Sequence, residues 1–379
     1  PYADYRALFS GMVPAHILEK QVGVTDIAKL KDTDPDMLEA AEFFNTGWVG
    51  FKPELDLSAG PYKIESANED ETVLVRNDKW WGNKGGPSKV FFRTNRDAKS
   101  ASQQLQNKEV DIIAIQADGA VATQLRGDSS VKVYAAPGQT YEHIDFRMDH
   151  PVLQDKAVRQ AIAACVNRQD LVDKLVRDID PNAKPLGSVM FMPNEKGYED
   201  HYSDTGNGDT AAAAKILTDA GYTKGADGIF AKNGQRVSVR LGHRTIERRA
   251  QTARLIQSHC APAGIDVIGA QDAKFNDVQL KNSDFDIALF AWVGTVVKSS
   301  SYGNFASADA GGSANYNNYS NKQMDKLYAE ANAELDFDKR IKMLNDVDKM
   351  MRDDLHILPL FVLAEFAANQ AEVTPISYV

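Results

Sequence analysis

Residues 141–175, YEHIDFRMDHPVLQDKAVRQAIAACVNRQDLVDKL, leave their backbone few options. Ile144, Phe146 and Met148 alternate with His143, Asp145 and Arg147, the period of two that a strand imposes. His150-Pro151 ends the strand, because proline fixes φ and restricts the residue before it. Asp155 is placed to cap a helix whose Val158, Ala161, Ile162 and Cys165 recur at helical spacing. Asn167 caps a second helix with Asp170 three residues on, a near-match to the capping box, and Leu171, Val172 and Leu175 form its buried face. Strand, proline break, helix, helix is the pattern of a core βα unit.

Similar units flank it. Strands are expected at residues 60–64, 72–76, 89–93, 110–114 (buried), 131–134, 237–241, 264–267, 284–292 (buried) and 357–363 (buried). Helices are expected at residues 97–107, 120–125, 211–220, 247–260, 321–332 and 336–353, with shorter ones opening at Pro14 and Pro35. Asn233-Gly234 between two apolar runs marks a hairpin. Residues 184–193 read as an extended, proline-rich passage, either crossing a cleft or looping over the surface. The Ser-, Gly- and Asn-rich residues 299–320 carry Tyr302, Phe305, Tyr316 and Tyr319, whose regular recurrence predicts an ordered loop lining a surface or pocket. Alternating strands and helices give an α/β chain with mixed sheets, and 379 residues suffice for two domains.

A net charge of −10 argues against a nucleic-acid groove, which needs clustered Lys and Arg. The apolar run 357–364 is far short of the ~20 residues that span a bilayer. No signal peptide opens the chain and Pro1 is not a natural start, so processing or truncation upstream is expected. Cys165 and Cys260 allow one disulfide or two buried thiols. Enzyme motifs are missing: no G-x-S-x-G, H-E-x-x-H, P-loop or dinucleotide fingerprint, and seven histidines without metal spacing. His16 has no second histidine at i+3 or i+4, so it reads as structural. Trp80-Trp81 suggests a sugar or base platform, but one ring of such a pair is expected to face a core. Loops rich in aromatic, amide and hydroxyl groups suit a site that holds a ligand without transforming it.

The order of these blocks resembles the family 5 extracellular solute-binding proteins, the dipeptide and oligopeptide binders of ABC importers. The resemblance is carried by the proline, acidic residue, Val158-Arg159-Gln160-Ala161-Ile162 and Asn167-Arg168. Leu8-Phe9-Ser10 with Pro14-Ala15-His16-Ile17, the block GPYKI…VLVRNDKWW, and Ala220-Gly221-Tyr222 with Gly264-Ile265 extend it over about residues 5–370. It implies a type II, cluster C periplasmic-binding-protein-like fold: two α/β lobes joined by a hinge. Lobe I would be residues 1–144 plus 358–379, and the C-terminal ligand-binding lobe residues 145–357. The family's first strands and middle lobe would precede this region, so the chain is expected to be a fragment with an unpaired edge in lobe I. That edge would be covered by a partner or by residues 1–58.

By the same resemblance the chain is a non-catalytic solute-binding component of an ABC importer, with no cofactor and no metal. Its partners would be a peptide or other small solute and the importer's permease subunits. It would act as a monomer, lipid-anchored at the extracellular face of the membrane or in the periplasm. Alternatives are a ligand-sensing domain of a regulator, a binder of a nickel chelate or oligosaccharide, and a hydrolase using Ser299 or Ser301. Recognition is expected at the strand-end Trp292, as a flat apolar wall with its indole N–H free, with Val293, Gly294 and Thr295 in the loop after it. A strand-end tryptophan also serves as plain core. The family's peptide binders place an aspartate about three residues past this tryptophan to pair with the α-ammonium. Thr295 stands there, and a neutral hydroxyl cannot match that charge. Lys298 is either a carboxylate- or phosphate-binding group or a solvated lysine. Asn315, Tyr316 and Asn317 are further candidates, while Arg159 and Arg168 are expected to be framework.

Overall fold

A computed structural model describes residues 1–5, 13–55, 57–95 and 97–373. Leu8-Phe9-Ser10 lie outside the described residues. The chain divides into two compact units, one of Arg6–Asp97 and one of Pro1–Tyr5 together with Ala98–Val379.

In the first unit, α1 (Ala15–Val22) and α2 (Pro35–Thr46) precede a three-stranded antiparallel sheet of β1 (Tyr62–Ala67), β2 (Glu71–Arg76) and β3 (Lys89–Arg93). Gly23 closes α1 at φ 75°, a conformation that costs glycine little. The tryptophan pair departs from expectation. Trp81 is 88 % exposed and Trp80 half-buried, and the rings lean on each other at 4.8 Å rather than entering a core.

The second unit is built on a six-stranded mixed sheet. Its elements are α3 (Ala98–Gln106), β4 (Ile112–Ile115), α4 (Gly119–Arg126), β5 (Val131–Phe146), α5 (Lys156–Cys165), α6 (Arg168–Leu175) and α7 (Thr210–Asp219). A small sheet of β6 (Thr223–Lys224), β7 (Phe230–Lys232) and β8 (Gln235–Arg236) follows, turning at Asn233-Gly234. Then come β9 (Ser238–Arg244), α8 (Glu247–Cys260), β10 (Asp266–Asp272), β11 (Ile287–Val293), α9 (Tyr302–Phe305), α10 (Lys322–Ala333), α11 (Phe337–Asp354) and β12 (Ile357–Gln370). The sheet order is β10-β9-β11-β5-β12-β4, with β9 parallel to β10 and β11 and the remaining pairs antiparallel. β10 is one edge strand of this sheet and β4 the other, bonded on one side only among the described residues. β4 is not the buried strand that its apolar run suggested: Ile112 is 47 % exposed.

Asp155 and Asn167 cap α5 and α6 as their positions require, accepting from Ala157 N and Asp170 N. One sheet face packs Ile144, Phe146, Leu289 and Leu241 against α5 to α8. The other packs Tyr141 and Ile357 against α10, α11 and residues 186–192, which lie in the core rather than over a cleft or surface. Each fully buried Ile, Leu or Phe contributes about 1.5–3 kcal/mol, so both faces are held firmly. Arg159 and Arg168 are framework: Arg159 donates to Leu153 O and Leu355 O, Arg168 to Leu186 O and Pro359 O. Cys165 and Cys260 are disulfide-bonded, joining the ends of α5 and α8.

A separate core lies between β4, α3, α4 and the far ends of β5 and β12, around Leu105, Ile113, Leu125 and Phe366. The sequence shows residues 131–134 and 141–148 as two strands, but β5 runs unbroken for 16 residues through Pro137-Gly138. It and the 14-residue β12 pass together from one core to the other. Gly138 is needed at that crossing, because a Cβ there would stand 2.6 Å from Leu363 O.

Candidate functional site

The parallel strands β9, β10 and β11 end at one edge of the sheet. Open α/β sheets present ligand crevices outside the carboxyl ends of their strands. Helix α8 starts three residues after β9 ends, bringing Glu247, Arg248 and Arg249 to this edge. Antiparallel β5 brings Gln139 and Thr140 there too, with Thr140 opposite Val293 and Gly294 N donating to Gln139 O at 2.7 Å. Gly294 is close-packed: a Cβ would meet Gln139 Oε1 at 3.0 Å and Met192 Cγ at 3.2 Å.

Just inside the edge, neighbouring residues of β5 build two different constellations. Glu142 is completely buried, and its Oε1 accepts from Arg249 Nε at 2.9 Å and from an Arg248 terminal nitrogen at 3.1 Å. Two guanidiniums therefore meet one carboxylate. Glu142 Oε2, Arg248 Nε and Arg249 Nη1 are buried with no partner among the described residues. Buried polar atoms are ordinarily satisfied, so this cluster has bonding capacity and positive charge to spare. Arg248 also lines a small crevice with Ala117, Leu363 and Ala364, beside the crossing of β5 and β12.

On the opposite face, His143 is fully buried and its Nδ1 lies 2.9 Å from Asp145 Oδ1. Burial pushes the Asp145 carboxyl up, with His143 pulling it back. The imidazole meets Phe290 edge-on at 4.3 Å and lies near-parallel to Trp292 at 6.2 Å and 13°. Trp292 is near-parallel to Tyr316 as well, at 5.9 Å and 17°. The indole is half-buried, and its N–H makes no hydrogen bond among the described residues and is not a buried unpartnered atom.

The residues singled out by sequence part company here. Trp292, Val293, Gly294 and Tyr316 gather at the edge, with Val293 66 % exposed. Thr295 Oγ1 accepts from Val297 N at 3.0 Å, fixing a turn. Lys298 is not solvated: it is 6 % exposed, 2.6 Å from Glu195 Oε2 and 4.9 Å from the Phe191 ring centroid. Burial holds its ammonium below the usual lysine range despite Glu195. Asn315 donates to Ala306 O and Tyr319 O, both at 2.8 Å, stapling its loop. Asn317 is buried against His356, donating to its carbonyl at 3.0 Å.

Glu142, His143, Asp145, Arg248 and Arg249 escaped the sequence reading. Their available signal was three ionisable residues within four positions of a core strand. A cavity of about 510 Å³ lined by Trp48, Lys52, Leu57 and Ile64 belongs wholly to the Arg6–Asp97 unit. It shares no residue with this edge. Among the described residues no cluster of His, Cys, Asp and Glu is arranged to hold a metal, and no helix is long and apolar enough to cross a membrane.

The profile of the bacterial extracellular solute-binding proteins, family 5 (middle), matches residues 22–345. An uncharacterised lipoprotein of Mycobacterium leprae is 28% identical over 94% of the chain and 63% of its own length. The oligopeptide-binding protein OppA of Mycobacterium tuberculosis is 25% identical over 95% of the chain and 57% of its own. The chain thus spans about three-fifths of these relatives. Among solved structures, a periplasmic EDTA-binding protein, EppA, superposes with TM-score 0.84 at 26% identity, covering 98% of the chain and 67% of its own. An oligopeptide-binding protein from Bacillus subtilis in complex with a nonapeptide gives 0.71 at 20% identity, covering 97% and 69%, a likeness of fold.

Proposed function

The chain belongs to the family 5 bacterial extracellular solute-binding proteins, and from that premise we propose that it captures a small anionic solute, a peptide in the first instance, for an ABC importer. The observation that carries the solute's charge is the Glu142–Arg248–Arg249 cluster at the carboxyl edge of the sheet, where two cations face one anion and buried donors stand unpartnered. A carboxylate takes bidentate bonds from guanidinium groups and discharges that excess. Nothing in residues 293–298 offers a carboxylate to an α-ammonium. The anionic end of a peptide is therefore its anchored end. Trp292, Val293 and Tyr316, at the same edge but on the sheet's other face, supply an apolar surface.

A second reading is a polycarboxylate chelate. It is favoured by the same arginine pair and by the likeness to a protein described as EDTA-binding.

Closure is proposed between the lobe of residues 1–144 plus 358–379 and that of residues 145–357, through β5 and β12, the paired strands that pass from one core to the other. The protein works without catalysis, as a monomer beside permease subunits, lipid-anchored outside the membrane. The lipoprotein relatives support the anchor.

Titration calorimetry of the full-length protein with trialanine, nickel–histidine, EDTA and maltotriose tests the proposal. Saturable binding of trialanine or EDTA, weakened about 10- to 100-fold in Arg248→Met and Arg249→Met, is the expected result, one lost charge-assisted bond being worth about 1.5–3 kcal/mol. Binding of maltotriose alone, or of none of the four, overturns it.

A further inference from the structure

The Asp145–His143 pair has no part in the anion cluster, which lies on the other face of β5. Its place is specific. Both residues are at least nine-tenths buried, on the β5 face shared with Phe290 and Trp292. The Nδ1–Oδ1 bond of 2.9 Å fixes the tilt of the imidazole. His143 Nε2 is buried with no hydrogen-bond partner among the described residues, so Asp145 alone fixes the ring by hydrogen bonding there. That ring lies within 13° of the Trp292 plane, and Phe290 meets both edge-on, at 4.3 and 5.1 Å. Carboxylate–imidazole pairs behind a binding group are a common means of fixing its orientation.

We infer that Asp145 and His143 are positioning residues for Trp292, holding its indole in one plane so that the open N–H is presented ready-made to an acceptor oxygen of the solute. The inference rests on the reading of Trp292 as part of the solute site. A ring whose orientation is set before binding loses little rotamer freedom when the solute arrives, and affinity gains accordingly. The solute contact at this position is then a hydrogen bond to an oxygen.

The test uses the full-length protein with Trp48, Trp80 and Trp81, and any tryptophan outside these 379 residues, replaced by Phe, leaving Trp292 as sole emitter. Before any solute is added, one sharp indole ¹H–¹⁵N cross-peak is expected, and several exchanging peaks overturn the inference. His143→Phe keeps a ring but loses the bond to Asp145. It is expected to raise acrylamide quenching of Trp292 severalfold and lower its anisotropy, whereas Asp145→Asn, which still offers an oxygen to Nδ1–H, stays near the parent. Equal quenching in parent and His143→Phe overturns the positioning role. With saturating trialanine or EDTA the indole proton is expected to move downfield, and Trp292→Phe in the otherwise unaltered protein to weaken binding about tenfold, the worth of one hydrogen bond of about 1.4 kcal/mol. Unchanged affinity in Trp292→Phe overturns Trp292 as a solute contact, while the quenching arm still decides whether the pair orients the ring.

Discussion

Glu142 and His143 are neighbours on one strand and point to opposite faces, where they meet different chemistry. On the Glu142 face an ionised side chain is held by two arginines from the first turn of α8. On the His143 face an ionisable pair is enclosed by aromatic rings, with Tyr141, Phe290 and Trp292 in reach. The first constellation stores charge and the second stores orientation. A strand covered on both faces thus delivers two kinds of recognition to one edge, and the period of two keeps them apart.

Four changes break or sharpen that contrast. The largest effect is expected from Cys165→Ala with Cys260→Ala, which removes the tie beneath the Glu142 face. Freeing a loop of 95 residues costs about 4–5 kcal/mol in the chain-entropy view, read as a lower urea midpoint. Next is Glu142→Ala, which leaves two buried guanidiniums uncompensated and should cost about 3–5 kcal/mol of stability, again by urea unfolding. A loss as small for Glu142→Ala as for the exposed Lys174→Ala would deny that the charges are buried as a unit.

Acid tests the buried polar groups by a different measure. His356, buried against Tyr319 and Asn317, is pushed down to about 3 by burial and by the Arg159 and His143 charges. The fold favours its neutral form, so its contribution is present above about 6.5 and is lost as pH falls toward 3, a matter of a few kcal/mol. Asp348, buried against Ser188, works oppositely. Burial pushes its carboxyl up to about 6, so its contribution is present below the unfolded value of 3.8 and is lost as pH rises through 6. In Asp348→Asn, thermal melts between pH 4 and 6.5 should therefore show a steeper acid loss than the parent. A flat profile in that variant would deny that His356 is held neutral.

The smallest effect is Tyr316→Leu. It removes one ring pair worth about 0.5–1.5 kcal/mol and should loosen Trp292 without weakening the arginine cluster, seen as higher quenching with unaltered urea midpoint beyond that amount.

Local signals were well preserved from sequence to fold. Asp155 and Asn167 cap their helices, Asn233-Gly234 turns its hairpin, and Val158, Ile162 and Leu171 enter the core, because each depends on residues within a few positions. The site was legible only in part. Trp292 and Tyr316 were visible as aromatic residues at a strand end and in its loop. Lys298 was misjudged because its partner, Glu195, lies 103 residues away. One ring of the Trp80–Trp81 pair is expected inside and neither is buried, since the pattern says nothing of which surface has a neighbour to offer.

What the sequence determined by itself is the succession of strands and helices, their caps and turns, and the block order that marks the family, all of them local or linear properties. Only tertiary structure decided that β5 is covered on both faces, that Arg248 and Arg249 reach across 106 and 107 residues to Glu142, and that His143 underlies Trp292. The physical reason is that a charged residue in a strand reads the same whether it faces water or a partner. Its meaning is fixed by which distant side chain occupies the space before it, and no local pattern carries that information.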